Sequence, residues 1–428
     1  HDVLDHRDDI KIERAWNHAT PTSALPTGAP EDNQLDVSSL AEAMPDHHSA
    51  FIGKWHIGGF GAAGHQPADH GFEPLAWFDG GGSRYFDWQK GWNNHRMDRF
   101  PNMPQDRWEI GNSGSETGED YLTDDLTVQA VNYLDQRANS TNDQPFFLYF
   151  SHFAVHSPYQ GKQAEIDHFT SKSTLGANGH QDPIYAAMIK SMDRSVGAII
   201  SKLESTGLAD NTLVVFMSDN GGIDRKITPK GDGTDNAPFL GGKACLTEGG
   251  IRVPLIFWWN NKLKSGSWVD TPVDYTDLYP TLVEAAGYDV QPIVQEEELD
   301  GRSILPLLNP TVTVATYEKE NRYWHYPFNV IYNSPYDGYP LTPHSAVRSG
   351  DYKLIFDWHG RLYLYNVAAD PYEKINLADR NTELRDKLFS QLLEWLRKNV
   401  EQRYWPALNP EYDPGKEVRS DQFTNLTE

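Results

Sequence analysis

Short apolar segments recur along this chain, and each has the length of a buried β-strand. Residues 49–52, 145–150, 212–217 and 253–258 are predominantly apolar runs bounded by polar or turn residues. Runs of this length, rich in aromatic and branched side chains, are typical of strands that are buried on both faces of a sheet. They predict the strands of a central sheet.

The segments between these strands carry helical periodicity. Residues 123–138 and 184–203 place apolar side chains three or four positions apart, and 277–287 ends on a glycine, as helices often do. A shorter helix is predicted at 37–44, with Ser38 as its cap. Strands that alternate with helices favour an α/β fold, with a mostly parallel central sheet covered by helices on both faces.

The pattern changes after residue 308. Short segments separated by glycine turns predict an antiparallel meander, and residues 381–398 predict a packing helix with leucines on one face. We therefore predict an α/β domain over residues 1–308 and a smaller C-terminal α+β subdomain over residues 309–428. The strands of the meander are predicted at 345–348, 352–357 and 362–366.

Polar side chains cluster next to the ends of the predicted central strands. In open parallel sheets, ligands bind beyond the carboxyl ends of the strands, so segments that are distant in sequence meet at one rim. Lys54 and His56 are two positions apart, which lets both point to the same side of an extended segment. The side chains that we expect to converge at this rim are Lys54, His56, His156, Asp219, Asn220 and Lys243.

These side chains suit a tetrahedral oxyanion that is held beside a divalent metal. Asp219 and Asn220 offer a carboxylate and an amide oxygen, which are hard ligands for Ca²⁺ or Mg²⁺. Two lysines and two histidines would neutralise sulfate or phosphate and stabilise charge on a leaving oxygen. Two oxygens are too few for Ca²⁺, which takes about six to eight, and this set of residues contains no nucleophile.

The overall composition constrains the partners of the chain. The formal net charge of −24 repels nucleic acids and anionic membranes, so an anionic substrate must be captured by a local cationic pocket. No apolar run reaches the ~18 residues of a membrane-spanning helix. Cys245 is the only cysteine, so an intrachain disulfide and a cysteine-based zinc site are excluded.

A series of short motifs follows one order along the chain. They are Gly53-Lys54-Trp55-His56-Ile57-Gly58, Val155-His156-Ser157-Pro158-Tyr159, Ser218-Asp219-Asn220-Gly221, Gly242-Lys243, Glu248-Gly249-Gly250-Ile251-Arg252-Val253-Pro254, Leu299-Asp300-Gly301-Arg302-Ser303 and Arg348-Ser349-Gly350-Asp351-Tyr352-Lys353-Leu354. In content and order these motifs resemble the type I sulfatases, the formylglycine-dependent class of the alkaline phosphatase superfamily. The resemblance extends from about Leu40 to about Leu377.

The resemblance implies roles for these side chains. Asp219 and Asn220 would be metal ligands, with Ca²⁺ as the usual ion and Mg²⁺ as the second choice. Lys54 and Lys243 would bind oxygen atoms of the sulfate. His156 would face the oxygen of the leaving group, with Lys243 nearby.

The resemblance also implies a nucleophile, on whose hydroxyl His56 would act. In the family it is a hydrated formylglycine made from a Cys/Ser-x-Pro-x-Arg motif, and this motif is absent from the 428 residues. The family's early Asp-Asp pair, which follows a central strand, is absent as well. A sheet without its central strand would expose unpaired edges. We therefore expect an N-terminal segment outside this sequence, and the alternative is an inactive relative.

Two aromatic-rich segments are candidates for substrate binding. Residues 80–88 contain Arg84, and residues 323–327 contain His325. Aromatic faces against sugar rings, and a cation against a second sulfate, would suit a sulfated polysaccharide. The alternative is aromatic packing between the two subdomains.

These observations lead to one main hypothesis about function and two alternatives. The main hypothesis is a secreted or periplasmic sulfatase that removes sulfate from a sulfated carbohydrate, such as a polysaccharide or oligosaccharide. A phosphate or phosphonate monoesterase on the same scaffold is the first alternative, because sulfate and phosphate share tetrahedral geometry. A catalytically inactive protein that binds sulfated glycans is the second.

Overall fold

The fold is described from a computed structural model, and the description covers most of the chain. The described residues are 16–17, 38–55, 66–78, 84–86, 88, 121–174, 176, 180–224, 234–296, 298–308, 317, 321–327, 343–358 and 360–408.

A parallel three-stranded sheet forms the N-terminal part of the fold. β2 (His48–Lys54) lies between β3 (Glu73–Phe78) and β4 (Phe146–Ser151), and both neighbours run parallel to it. The core residues of β2 are completely buried, as the apolar run predicted. A two-residue strand, β1 (Trp16–Asn17), pairs separately with a strand near the C-terminus.

Helices cover one face of this sheet. α1 (Leu122–Ala138) packs on it, and α2 (Gln163–Thr170) and α3 (Pro183–Thr206) follow β4. The predicted helices 123–138 and 184–203 are confirmed. The ends of α3 extend further than predicted because the Asp182 carboxylate caps its first turn and Gly207, in the left-handed region, ends it.

The other face of the sheet is covered by the segment before β2 and by α5 (Leu278–Ala285). The helix predicted at 37–44 is wrong, because the structure has a single turn there. Ser39, rather than Ser38, caps this turn: its Oγ accepts the N–H of Glu42 at 3.2 Å, and the Glu42 carboxylate accepts the N–H of Ser39 at 2.7 Å. Pro45 leaves no room for a second turn.

A second pair of central strands has a direction that the sequence did not reveal. β5 (Leu213–Met217) pairs antiparallel with β6 (Leu255–Trp259), so Met217 at the end of β5 faces Leu255 at the start of β6. The segment before β6, which includes the short helix α4 (Glu248–Ile251), is therefore brought to the carboxyl end of β5. Side chains of both strands share a buried cluster with Ala50 of β2.

An antiparallel four-stranded sheet forms the C-terminal part, in the order β10 (Arg361–Asn366), β9 (Tyr352–Asp357), β8 (His344–Ser349) and β7 (Asn321–Tyr326). The predicted meander is confirmed, and β7 extends it by one strand. One face of the sheet packs on leucines of the last helix, and the other packs on Leu246 and Ile251. The other α-helices and strands described after β6 are α6 (Gln291–Glu296), α7 (Leu305–Leu308), α8 (Thr382–Asn399), which is this last helix, and β11 (Ala407–Leu408).

The predicted boundary between residues 308 and 309 falls at the edge of a stretch outside the described residues, so it remains a prediction. None of the helices in the described part of the chain combines the length and the apolar character needed to cross a membrane.

Candidate active site

The carboxyl end of β2 places Lys54 at the rim of the sheet. The residue before it, Gly53, has a φ of 102°, and a Cβ there would lie 1.8 Å from the carbonyl oxygen of Ser151. Only glycine allows β2 and β4 to approach this closely. Lys54 is partly buried, and its Nζ lies 5.8 Å from the centroid of the Phe153 ring. His56 lies outside the described residues, so its role stays a prediction.

His156 lies in the turn after β4, and its two ring nitrogens have different partners. Nδ1 lies 2.7 Å from the carbonyl oxygen of Ser157, which can only accept, so Nδ1 carries the proton. Nε2 is then an acceptor, and the Lys243 Nζ lies 3.4 Å from it. The imidazole also lies 5.2 Å from the Phe153 ring, which is the ring that Lys54 contacts. The structure thus brings Lys54, His156 and Lys243 into one neighbourhood.

The surroundings of His156 favour its neutral form. Burial lowers the pKa of the imidazole to about 4, and the ammonium groups of Lys243 and Lys54 act in the same direction. The hydrogen bond to Ser157 and the carboxylate of Asp219 oppose this shift. Burial also lowers the pKa of Lys243, and Asp219 again opposes it. These charges therefore act on one another across a shared, poorly solvated space.

A bound sulfate should raise the pKa of His156, because its negative charge stabilises the imidazolium. Binding then takes up a proton, so the affinity for inorganic sulfate should rise as the pH falls from 7 toward the unliganded pKa of about 4. Calorimetric titrations across this range measure the effect. The variant His156→Gln should show a flatter dependence, and a wild-type affinity with no pH dependence would contradict the assignment.

The amide side chain of Asn236 helps to join two loops beyond β5. Asp219 lies on the first loop and Lys243 on the second, and the Lys243 N–H donates to the carbonyl oxygen of Gly222 at 2.8 Å. The Nδ2 of Asn236 donates to the carbonyl oxygens of Gly222 and Gly241 at 2.9 and 3.1 Å. Its Oδ1 accepts the Gly222 N–H at 3.0 Å. Asn236 and the Lys243 N–H therefore together hold the loop of the predicted metal ligand against the loop of the predicted sulfate ligand.

Replacing Asn236 by leucine should lower the free energy of unfolding by about 2–3 kcal/mol, because three hydrogen bonds to backbone groups are lost in a partly buried loop. Turnover should fall about tenfold or more as Lys243 shifts relative to Asp219. The measurements are urea unfolding and initial rates. Asn260→Leu is a matched control, because the Asn260 amide makes an exposed hydrogen bond to Asp210 at 2.8 Å. Equal behaviour of the two variants would refute this role.

Asp219 and Asn220 fit a hard cation in the kind of donor atom they offer. One exposed carboxylate and one partly buried amide oxygen would supply two of the about six to eight ligands of Ca²⁺. In the part of the chain that the structure describes, no group of three or more His, Cys, Asp or Glu side chains is arranged to hold a metal. The assignment of Ca²⁺ to these residues therefore remains a proposal.

Cys245 lies in the same loop as Lys243 but does not supply a nucleophile. Its thiol is fully buried, and burial raises its pKa to about 12. Since the thiolate is the reactive form, Cys245 is inert at neutral pH.

Tyr85 supports the turn that carries His156, and the sequence did not single it out. Its hydroxyl lies 2.8 Å from the carbonyl oxygen of His156 and 3.2 Å from that of Phe153. Its ring is completely buried and stacks on Tyr121 with 5.6 Å between the centroids. In the sequence, the only signal for Tyr85 is its place in the aromatic-rich segment that also contains Arg84.

The two candidate substrate ligands lie in different surroundings. Arg84 is exposed and directly precedes Tyr85. His325 lies in β7, with Nδ1 2.8 Å from the Ser345 Oγ and Nε2 2.8 Å from the carbonyl oxygen of Tyr404. Both ring nitrogens are thus engaged within the C-terminal subdomain. These contacts lie within the C-terminal part rather than between the two subdomains, and substrate binding by Arg84 and His325 stays a prediction.

The rim of an α/β sheet thus brings together two lysines and a histidine, with the carboxylate of Asp219 acting on the histidine and on Lys243. The family model described as Sulfatase matches residues 16–288, which is more than half of the chain, and the chain belongs to the sulfatase family. A second model, described as N-sulphoglucosamine sulphohydrolase, C-terminal, matches residues 241–402. That range includes Lys243 and the antiparallel sheet.

Individual relatives agree with this assignment. A sulfatase from Formosa agariphila is 32% identical over 295 residues, which are 65% of this chain and 51% of the relative. Human N-acetylgalactosamine-6-sulfatase is 31% identical over 302 residues, which are 69% of this chain and 52% of the relative. The crystal structure of Ps i-CgsB has a TM-score of 0.67 and 28% identity, covering 94% of this chain and 82% of that one. The chain spans about half the length of the two curated relatives.

Proposed function

We propose that this protein is a sulfuric ester hydrolase that removes sulfate from a sulfated carbohydrate. The observation that carries the proposal is the 3.4 Å contact between the Lys243 Nζ and the His156 Nε2, with Lys54 acting on the same imidazole. Such a group of side chains can hold a tetrahedral anion and donate a proton to its leaving oxygen. Membership of the sulfatase family supports the choice of sulfate.

Relatives support a carbohydrate as the substrate class. One relative is named for N-acetylgalactosamine-6-sulfate chemistry, and Ps i-CgsB was also solved in complex with k-i-k-neocarrahexaose. We extend this to a sulfated polysaccharide or oligosaccharide for the present chain. A polymer of this kind is encountered outside the cytoplasm, so we propose a secreted or periplasmic location.

In the proposed reaction, Lys54 and Lys243 bind oxygen atoms of the sulfate group. In the net reaction, the oxygen of one water molecule becomes bonded to sulfur as the bond between sulfur and the carbohydrate oxygen breaks, and the electron pair of the broken bond stays on the carbohydrate oxygen. The oxygen receives a proton from the pair formed by Lys243 and His156, and this pair later takes a proton back from water. Burial suits the pair to this task, since a lowered pKa eases proton release from Lys243.

Two further components belong to the proposal. Asp219 and Asn220 would hold Ca²⁺, or Mg²⁺ as second choice, which would supply positive charge next to the sulfate. The nucleophile would be a formylglycine, as in the family that the chain resembles. The 428 residues contain no Cys/Ser-x-Pro-x-Arg motif, so the nucleophile is the component that these residues do not supply.

Comparing matched esters tests the proposed function. Sugar sulfates and the same sugars carrying phosphate are incubated with the protein, and the released anions are quantified by ion chromatography. We expect sulfate release to exceed phosphate release. Faster release of phosphate would support a phosphomonoesterase instead, and binding of sulfated glycans without any release would support the inactive alternative.

Removing divalent cations should lower the melting temperature, because a bound ion stabilises the native state by mass action. The measurement is thermal unfolding with and without saturating EDTA. The variant Asp219→Ala, which lacks the proposed ligand, should show little further loss on chelation. An unchanged wild-type melting curve counts against the metal site.

A further inference from the structure

We propose that a second glycan-binding subsite lies on an exposed cluster of aromatic rings and cations, formed by Phe239, Tyr372, Arg252 and Lys374. We call this cluster the aromatic–cation patch. It would bind a sulfated sugar of the substrate other than the one whose sulfate is cleaved. The nature of its ligand rests on the proposed function.

The patch pairs each aromatic ring with a cation. The rings of Phe239 and Tyr372 lie 5.7 Å apart, measured between their centroids. The guanidinium of Arg252 lies 5.1 Å from the Phe239 ring, and the Lys374 Nζ lies 5.3 Å from the Tyr372 ring. Arg252 is half exposed, Tyr372 and Lys374 are exposed and Phe239 is partly buried, so the Tyr372 ring and the two cations reach solvent.

A buried ion-pair cluster holds the patch in place. Tyr372 and Lys374 flank Glu373, whose carboxylate turns inward to Lys353 and to the N–H of Glu248, at 2.8 and 2.7 Å. Glu373 has a φ of 55°, in the left-handed region, and its buried side chain lies between two exposed neighbours. The Glu373 carboxylate is therefore engaged inside the protein, and the Arg252 Nη1 lies 3.5 Å from a Glu248 carboxylate oxygen, so Lys374 is the patch cation that has no ion pair among the described residues.

The patch and the proposed active site share one loop. Phe239 and Lys243 are four residues apart, so their Cα atoms lie within about 14 Å of each other. Arg252 directly follows α4, in the segment between this loop and β6. A glycan that places one sulfate at Lys243 therefore has its neighbouring sugars within reach of the patch.

The charges of the patch favour an anionic ligand. Burial lowers the pKa of Arg348, and so do the nearby Arg322 and Arg252, whereas Glu248 and Asp351 oppose this. Arg348 lies outside the patch, and the strongest charge acting on it is the Glu248 carboxylate, so the positive charge of the patch itself is that of Arg252 and Lys374. The local positive charge contrasts with a net charge of −24 for the chain. Sulfate groups match the cations, and the carbon faces of sugar rings match the aromatic rings.

Binding of dextran sulfate, with uncharged dextran as the reference, tests the patch without requiring turnover. The variant Arg252→Gln/Lys374→Gln should bind dextran sulfate about tenfold more weakly than the wild type. The variant Lys262→Gln/Lys264→Gln removes the same charge from another exposed segment, where Lys262 lies 4.0 Å from the Trp259 ring, and should change binding less than about twofold. Affinity for inorganic sulfate should be unchanged in both variants.

Three results would overturn the subsite. They are equal binding of dextran sulfate by the two double variants, equal binding of dextran and dextran sulfate by the wild type, and a matching loss of affinity for inorganic sulfate in the patch variant. The proposed function fails on a different readout, namely the absence of sulfate release from sulfated carbohydrates. If release is absent but dextran sulfate binding depends on the patch, the subsite stands as a glycan-binding site.

Discussion

Replacing Lys243 by alanine should lower kcat/KM for sulfate release by about 100- to 1000-fold, the usual loss when one preorganised donor to a developing charge is removed. The change removes the ammonium that faces the His156 Nε2 at 3.4 Å. Lys54→Ala and His156→Ala should each abolish most sulfate release as well, since both groups act in the same space. The measurement is the initial rate of sulfate release.

A control variant separates this effect from a general change in charge. Lys262→Ala removes a cation that stacks on Trp259 and lies 3.0 Å from the Asn211 Oδ1, away from the rim. It should retain wild-type rates. Circular dichroism and urea unfolding should show that the rim variants are folded, and turnover like that of the wild type in Lys54→Ala or His156→Ala would refute the site.

Replacing Lys353 by methionine should lower the free energy of unfolding by about 3–5 kcal/mol. Lys353 lies in β9 and is completely buried, with its Nζ 2.7 Å from a Glu248 oxygen and 2.8 Å from a Glu373 oxygen. Without the ammonium, two carboxylates share a buried site and one of them must take up a proton. Denaturant unfolding measures this loss of unfolding free energy. The substitution should also displace the loop that carries Lys243.

The matched control is Lys202→Met, because the Lys202 Nζ makes a more exposed ion pair with Asp135 at 3.0 Å. The free energy of unfolding of this variant should fall by less than about 1 kcal/mol. Adding Glu373→Gln to Lys353→Met should restore part of the stability, and the double-mutant cycle gives the coupling. A loss in Lys353→Met no larger than in the control would contradict the buried cluster.

The cluster also predicts a direction for the pH dependence. Burial raises the pKa of Glu373. At Glu248 the same effect of burial is outweighed by Lys353 and other cations, so the pKa of Glu248 is lowered. Lys353 lowers the pKa of both carboxyls, so its removal raises both. A carboxyl whose pKa is raised on folding contributes stability below its unfolded pKa, and this contribution is lost as the pH rises. The loss of unfolding free energy caused by Lys353→Met should therefore be smaller at acidic pH.

The sequence predicted most strands and long helices because continuous apolar runs and 3.6-residue periodicity report burial directly. It did not predict that β6 runs antiparallel to β5, since the alternation of side chains along a strand is the same in both directions. That direction explains how Lys243, on a loop before a strand, lies near residues that follow other strands.

The residues that support the site could not be predicted from the sequence, for a different reason. Asn236 sits in a stretch of turn residues, where an asparagine usually serves its own turn, and its three contacts to two loops exist only in the folded chain. His325 shows the reverse case. Its residue type suggested substrate binding, and only the fold shows that both ring nitrogens are engaged.

A crystal structure with Ca²⁺ and a sulfated oligosaccharide, using anomalous scattering to locate calcium and sulfur, tests the central claim most directly. The account predicts a sulfate group in contact with the Nζ atoms of Lys54 and Lys243 and within hydrogen-bond reach of His156. It also predicts calcium about 2.3–2.6 Å from oxygen atoms of Asp219 and Asn220. A sulfate bound away from both lysines, or calcium bound elsewhere, would contradict the account.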